Sequence, residues 1–190
     1  MDAAKLERAL TTLGEVLGAR GHTFDLAIVG GGGLLLLGLI DRPTLDLDVV
    51  AVVTDDGLAS SDPLPAALAE AVGDVADLHG VPDSWLNCGP ADLLRFGLPD
   101  GFNERAVRRV YGALTLRLAS RFDQICFKLY AAVDAGPRSK HVADLGRLEP
   151  TRDELLAAAT WSRTHDPSDG FRTILHSALA KLGVDDHGDV

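Results

Sequence analysis

The apolar residues of the first third of the chain are spaced to form helices and strands in alternation. Between residues 4 and 18 they recur every three or four positions, the period of one face of an α-helix. Residues 24–29 (FDLAIV) and 45–53 (LDLDVVAVV) are two mainly apolar runs bounded by turn residues, which predicts buried strands. Four glycines follow the first run, and Leu34 to Ile40 then predicts a helix. The expected order is helix, strand, glycine turn, helix, strand.

The rest of the chain is predicted to be mainly helical. A helix is expected over residues 62–78 with Asp62 as its cap, followed by an irregular connection over 81–100 with one short helix from Ala91 to Arg95. Residues 107–118 alternate well enough for one or two strands at a sheet edge. Further helices are predicted at 120–133, 140–148, 151–164 and 168–182. The pattern favours an α/β (α+β) protein with a small mixed sheet and C-terminal helices.

Length and composition indicate one compact core. The 190 residues are 46% hydrophobic, so we expect a core over 1–148 that includes the first helix, with a C-terminal helical extension over 149–190 packed on it. The longest apolar run is far shorter than the roughly 20 residues of a membrane span, and the first residues lack the apolar stretch of a secretory signal. We therefore expect a cytoplasmic protein with no membrane partner. Cys88 and Cys126 are isolated, which favours reduced thiols over a disulfide or a zinc site.

Charge limits the kind of partner. The net charge of −10 repels nucleic acid at long range, which argues against a protein that coats DNA or RNA. Five arginines nevertheless lie close together in the sequence: Arg105, Arg108, Arg109, Arg117 and Arg121. They either face a polyanion or are ordinary surface side chains.

Two aspartates interrupt the second strand. Asp46 and Asp48 are two residues apart, so in a strand their carboxylates project from the same face. Aspartate is disfavoured in strands, and two neighbouring like charges are unfavourable without a cation between them. The pair therefore predicts a site for one or two divalent metals. The structural alternative is a strand with one wet face, with Leu45, Leu47 and Val49 packed on the other.

The glycine run at the end of the first strand is the second candidate feature. A strand that ends in Gly30-Gly31 and turns into a helix lets backbone N–H groups approach an anion, as in phosphate sites. The alternative is a merely tight turn. No lysine followed by Ser or Thr comes after the glycines, which excludes a P-loop, and Leu35 and Leu36 stand where the third glycine of a dinucleotide-binding motif would fall.

The combination of Gly30-Gly31 with a later Asp46-Leu47-Asp48 strand resembles the nucleotidyltransferase superfamily named for DNA polymerase β. Four further segments are similar to the AbiEii-type toxin branch and the related bacterial group DUF6036, the one at Trp85 to the latter group only. These segments are Arg42-Pro43-Thr44, Trp85-Leu86-Asn87, and Phe127 to Ala131 followed by Lys140 to Asp144. The resemblance covers about residues 24–148.

The resemblance implies a transfer of a nucleoside monophosphate from a nucleoside triphosphate to an RNA, a protein or a small molecule. It assigns Mg²⁺ or Mn²⁺ to Asp46 and Asp48, and it implies an antitoxin chain as a partner. The catalytic set that it implies is Asp46, Asp48, Lys128 and Asp144, and the nucleotide-binding set is Gly30, Gly31, Arg42, Thr44 and Lys128. Lys128 would contact the triphosphate, and Asp144 would act as a base or a positioning group.

Two other hypotheses stay open on the sequence alone. Many polymerising members of the superfamily carry a third carboxylate on a later strand, and Ala113 to Leu118 contains no acid. A catalytically inactive nucleotide-binding or regulatory module of the same fold is therefore the alternative, and a subunit that needs a partner chain is a third. Lys128 has its own alternative, a helix-surface lysine with its ammonium in water.

Overall fold

A computed structural model describes residues 1–136 and 139–185 of the chain. Its contacts group the chain into two compact units, Met1–Ser120 and Arg121–Val190. This division falls earlier than the boundary after residue 148 that the sequence favours, so Lys128 and Asp144 belong to the second unit. Among the described residues, no helix combines the length and apolar character needed to cross a bilayer.

The first unit is built from a mixed sheet and helices. Its strands are β1 (Phe24–Val29), β2 (Leu47–Thr54), β3 (Gly57–Ser60), β4 (Leu86–Asn87), β5 (Val107–Tyr111) and β6 (Leu114–Leu118). Its helices are α1 (Ala3–Ala19), α2 (Gly30–Leu36), α3 (Ala66–His79) and the single turn α4 (Phe102–Arg105). Two short 3₁₀ segments, Asp83–Trp85 and Ala91–Phe96, flank β4. The predicted mixed α/β class is confirmed.

The sheet combines parallel and antiparallel pairs in the order β3-β2-β1-β6-β5, and β4 also pairs with β2. β1 runs antiparallel to β2 and parallel to β6. Both β3 and β4 pair with β2. Strand β4 runs parallel to β2 and pairs with its first two residues, whereas β3 runs antiparallel and pairs with the last residues of β2. β5 is an edge strand, as the sequence predicts, while β6 lies inside the sheet.

Helix α1 covers part of this sheet. The predicted apolar stripe is confirmed, since Leu6, Leu10, Leu13 and Leu17 are fully buried. The Asp2 side chain caps the helix by accepting a hydrogen bond from the backbone N–H of Lys5 at 2.7 Å. The helix packs against α3 and against the β5–β6 hairpin.

Helix α3 and the strands β3 and β4 differ from the sequence-based expectation. Helix α3 begins at Ala66 after Pro65, not at Asp62, because residues that precede prolines are driven away from the helical region. The strands β3 and β4 were not predicted. Each is short, and its extended backbone is stabilised by pairing with β2 rather than by its own sequence pattern.

The second unit consists of four helices among its described residues. They are α5 (Arg121–Ala135), α6 (Lys140–Arg147), α7 (Arg152–His165) and α8 (Asp169–Lys181), close to the predicted bounds. A capping box between Thr151 and Glu154 starts α7, and the Ser168 hydroxyl caps α8. Phe127 meets Trp161 edge-on, with ring centroids 5.2 Å apart, in the α5–α7 contact. The sequence also predicts frayed last residues, but positions 186–190 lie outside the described residues.

Candidate active site

The glycine run forms the first turns of α2 rather than a loop before it. The helix begins at Gly30 and ends at Leu36, so the predicted start at Leu34 and end at Ile40 are wrong. Gly30 has φ +77°, a conformation that side-chain-bearing residues rarely adopt. Gly31, Gly32 and Gly33 are buried. The chain therefore turns from strand to helix within one residue, and the absence of side chains lets the helix approach its neighbours closely.

Each of the first three glycines lies against a different part of the segment that leads into β2. A Cβ atom at Gly30 would collide with the Asp48 carboxylate. One at Gly31 would lie 3.3 Å from the Thr44 hydroxyl oxygen and 3.4 Å from Nη2 of Arg42. The structure thus brings together the glycines and three of the polar side chains that the sequence analysis selected.

Gly32 makes the tightest contact with the backbone of this segment. A Cβ atom there would lie 2.7 Å from the carbonyl oxygen of Asp46 and 2.7 Å from Cδ1 of Leu47. Contacts below 3.0 Å to a backbone atom cannot be relieved by a side-chain rotation. A glycine at position 32 is therefore required by the packing of α2 on β2, whatever else the glycine run binds.

Asp46 and Asp48 differ in their structural setting. Asp48 is the second residue of β2, whereas Asp46 precedes the strand, which starts at Leu47 and not at the predicted Leu45. Both aspartates are partly buried. The buried Thr44 hydroxyl donates to the Asp46 carbonyl oxygen at 3.1 Å and lies 3.5 Å from its carboxylate oxygen Oδ1. Thr44 thereby fixes the turn that presents Asp46.

The structure agrees only in part with the alternative of a strand that has one face in contact with water. Leu47 and Val49 are fully buried on the face opposite Asp48, as that alternative requires, but Leu45 is 77% exposed because it lies outside the strand. The residues after Asp48 are buried without alternation, and a β-bulge shifts the register of β1 and β2 between Ala27 and Ile28. The shift places Asp48 opposite Val29, the residue before the glycines.

The oxygen atoms at this position match the preferences of a hard divalent cation. Magnesium and manganese take carboxylate, hydroxyl and carbonyl oxygens and retain several waters. Asp46 and Asp48 supply carboxylates, and the missing Gly30 side chain leaves room for the Asp48 carboxylate itself. Within residues 1–136 and 139–185, no group of three or more His, Cys, Asp or Glu side chains is arranged to hold a metal. A cation here would therefore rest on two acidic side chains supplemented by neutral oxygen ligands.

Asn87 lies beside Asp48, although the sequence marks it only as part of the resemblance and not as a site residue. The two-residue strand β4 pairs Asn87 with Asp48. No periodic pattern marks a strand of two residues, and the segment 81–100 was predicted to be irregular. Only the pairing with β2 identifies Asn87 as a neighbour of the aspartate.

Lys128 and Asp144 form a buried ion pair within the second unit. Nζ of Lys128, on α5, lies 2.9 Å from Oδ2 of Asp144, on α6, and their side chains are 4% and 0% exposed. The alternative of a helix-surface lysine is therefore wrong. Their mutual pairing was not anticipated, and their roles towards a nucleotide stay predictions.

The arginine cluster separates into paired and exposed members. Arg117 forms a bidentate pair with Asp25, with an Nη2–Oδ2 distance of 2.8 Å, and this hydrogen bonding raises the pKa of its guanidinium. Arg121 donates to the carbonyl oxygen of Leu148. Arg108 and Arg109 lie exposed on the edge strand β5. A polyanion site formed by all five arginines is not supported, because at least two of them have structural partners.

Substituting Gly30 tests the close approach of α2 to Asp48. We expect Gly30→Ala to lower the free energy of unfolding by about 1–3 kcal/mol more than Gly38→Ala, because the new methyl group overpacks the site. Gly38 is a matched control, since its φ is +71° and nothing lies within 4 Å of a Cβ there. Urea denaturation of both variants measures the difference. Equal losses would show that Asp48 moves aside freely.

Removing one partner of the buried pair tests its structural role. We expect Asp144→Ala to destabilise the protein by about 3–5 kcal/mol, because it leaves the Lys128 ammonium buried without its carboxylate. The double variant Lys128→Met/Asp144→Leu should recover most of that loss, since it removes both charges and keeps the volume. Thermal and urea unfolding are the measurements. An Asp144→Ala variant as stable as the wild type would contradict the pairing.

A comparison with protein-family models finds no match for this chain, and comparisons with curated proteins and with solved structures find none either. The case for a function therefore rests on the arrangement of the residues themselves.

Proposed function

We propose that this protein is a metal-dependent nucleotidyltransferase that transfers a nucleoside monophosphate from a nucleoside triphosphate to an RNA, protein or small-molecule acceptor. One observation carries the proposal. The Asp48 carboxylate occupies the space beside Gly30, so a candidate cation ligand and the first turn of the glycine helix adjoin each other. A triphosphate bound through a cation would lie next to these backbone N–H groups.

The residues around the glycines have distinct tasks in this proposal. Asp46 and Asp48 would hold the cation, which when bound supplies charge neutralisation at the triphosphate. Backbone N–H groups at Gly30 and Gly31 donate to phosphate oxygens. The Arg42 guanidinium, whose Nη2 lies beside Gly31, stabilises the negative charge that develops on the leaving group.

In the transfer step, a nucleophilic oxygen of the acceptor forms a bond to the α-phosphorus while the bond between that phosphorus and the pyrophosphate oxygen breaks. The acceptor proton passes to a base, and pyrophosphate leaves. The resemblance gives the role of base or positioning group to Asp144 and a triphosphate contact to Lys128. Because these two side chains are ion-paired, substitutions of either need a folding control before their kinetics are interpreted.

A nucleotide-binding or regulatory module without catalysis is the second candidate. Two observations favour it: β6 carries no acid, and in the described part of the chain no third acidic side chain joins Asp46 and Asp48. Such a module would still bind a triphosphate at the glycines. The proposal that the protein acts as a toxin with an antitoxin partner depends on the resemblance alone.

Metal binding is the first requirement of the proposal. We expect Mg²⁺ or Mn²⁺ to raise the melting temperature of the wild type, because a ligand that binds the native state stabilises it by mass action. The variant Asp46→Asn/Asp48→Asn should lose this shift. Asp55→Asn/Asp56→Asn is the matched control, since it removes the same charge from an exposed turn. Equal shifts in both double variants would place the cation elsewhere.

Nucleotide transfer separates the two candidate functions. With a radiolabelled nucleoside triphosphate and total RNA, protein or small-molecule extracts, the enzyme should label an acceptor and release pyrophosphate, whereas the module should bind the triphosphate only. Gly31→Val should weaken triphosphate binding, because its side chain crowds Thr44 and Arg42 and blocks approach to the backbone. Gly73→Val, at a helical glycine with nothing within 4 Å of a Cβ, is the control. Unchanged affinity in a folded Gly31→Val protein would remove the glycine turn from the proposal.

A further inference from the structure

Within the sheet, Asp48 has one neighbour on each side. On β1 the neighbour is Val29, and on β4 it is Asn87. The strand β6, where the sequence analysis looked for a third acid, pairs with the opposite edge of β1 and is not adjacent to β2. Any side chain that supplements Asp48 from a neighbouring strand therefore comes from β4.

Burial shows which face of the sheet Asn87 shares with Asp48. Paired residues of parallel strands project their side chains to the same face, with strands roughly 4.8 Å apart. Leu47 and Leu86 form the preceding pair, and they are 0% and 2% exposed. Asp48 and Asn87 are both partly buried, as expected for the opposite and more open face. Asp48 and Asn87 thus occupy adjacent positions on the same face of the sheet.

Two buried side chains hold β4 in this register. Trp85 is fully buried, and its indole Nε1 donates to the carbonyl oxygen of Val72 on α3 at 3.1 Å. Leu86 fills the space beside Leu47. The segment Trp85-Leu86-Asn87 therefore consists of two anchors followed by one polar residue presented next to Asp48.

Local hydrogen bonds orient the Asn87 carboxamide. Its Oδ1 accepts from the backbone N–H of Gly89 at 2.8 Å, and its Nδ2 donates to the carbonyl oxygen of Ser84 at 3.4 Å. An amide oxygen has two lone pairs, so one bond to Gly89 leaves acceptor capacity. Amide carbonyls are regular oxygen ligands of hard cations. The side chain is thus held in one orientation while it keeps the capacity to bind a cation.

We propose that Asn87 is the third protein ligand of the divalent cation held by Asp46 and Asp48. The inference rests on the proposed function and extends it. A neutral amide in this position leaves the protein ligands with two negative charges instead of three. The site would then hold one cation more weakly than a three-carboxylate site, since ligand charge sets cation affinity.

The test measures Mn²⁺ binding to the full-length protein by isothermal titration calorimetry, without nucleotide. Asn87→Asp keeps an acceptor for the Gly89 N–H and adds a carboxylate, so its affinity should rise by roughly tenfold. Asn87→Ala should lower the affinity by a similar factor. Ser84→Asp is the charge control, because it adds the same charge at an exposed position on the approach to β4.

A swap provides the sharpest comparison. Asp48→Asn should lose most of the affinity, and Asp48→Asn/Asn87→Asp should recover part of it by exchanging acid and amide between adjacent positions. Asp48→Asn/Ser84→Asp should recover none. Melting curves without metal establish that each variant is folded, and if Asn87→Ala is not, the swap alone decides.

The outcomes separate this inference from the proposed function. If Mn²⁺ binding depends on Asp48 but neither Asn87→Asp nor the swap differs from the corresponding Ser84→Asp variant, the assignment of Asn87 is overturned and the two-aspartate site stands. If the wild type binds no Mn²⁺, or if Asp46→Asn/Asp48→Asn binds it equally well, the cation site and this assignment are both overturned.

Discussion

The candidate site depends on the close approach of the first turn of α2 to the chain that enters β2. Side chains at Gly30 and Gly32 would collide with Asp48 and with the Asp46 backbone, and one at Gly31 would lie close to the Thr44 and Arg42 side chains. Such an approach brings the glycine backbone, the Asp48 carboxylate and the Arg42 guanidinium into one small volume. The glycines are therefore needed for packing and also have a candidate chemical role. Both depend on the absence of side chains at these positions.

The sheet positions the acidic residues through pairing on both sides of β2. The β-bulge opposite β1 places Asp48 next to the residue that precedes the glycines, and β4 places Asn87 on its other side. Bulges commonly redirect side chains next to functional sites. Here the bulge and the two-residue strand together determine which polar groups surround the aspartate. A cation at this position would be shared by adjacent strands and would stabilise their pairing as well as bind substrate.

The second unit uses charge differently. Its buried pair, Lys128 with Asp144, joins α5 to α6 at a place where an unpaired charge would be strongly unfavourable. A pair of this kind fixes which helices meet, and its removal is expected to affect folding before any chemistry. The resemblance to nucleotidyltransferases gives these two residues roles towards a nucleotide, and the ion pair gives them a structural role as well. Tests of nucleotide binding or transfer must therefore separate the loss of folding from the loss of activity.

The sequence by itself determined the elements with a clear hydrophobic period and the residues with unusual chemistry. The stripe of α1, the strand before the glycines, the four C-terminal helices and the Asp46-Leu47-Asp48 motif were all predictable, because local propensity and burial agree there. Only the tertiary structure decided the start of α2, the strands β3 and β4, and the partner of Lys128. Each of these depends on a contact between residues far apart in the sequence. A two-residue strand such as Leu86-Asn87 has no period of its own, and it exists because β2 offers free backbone groups to pair with.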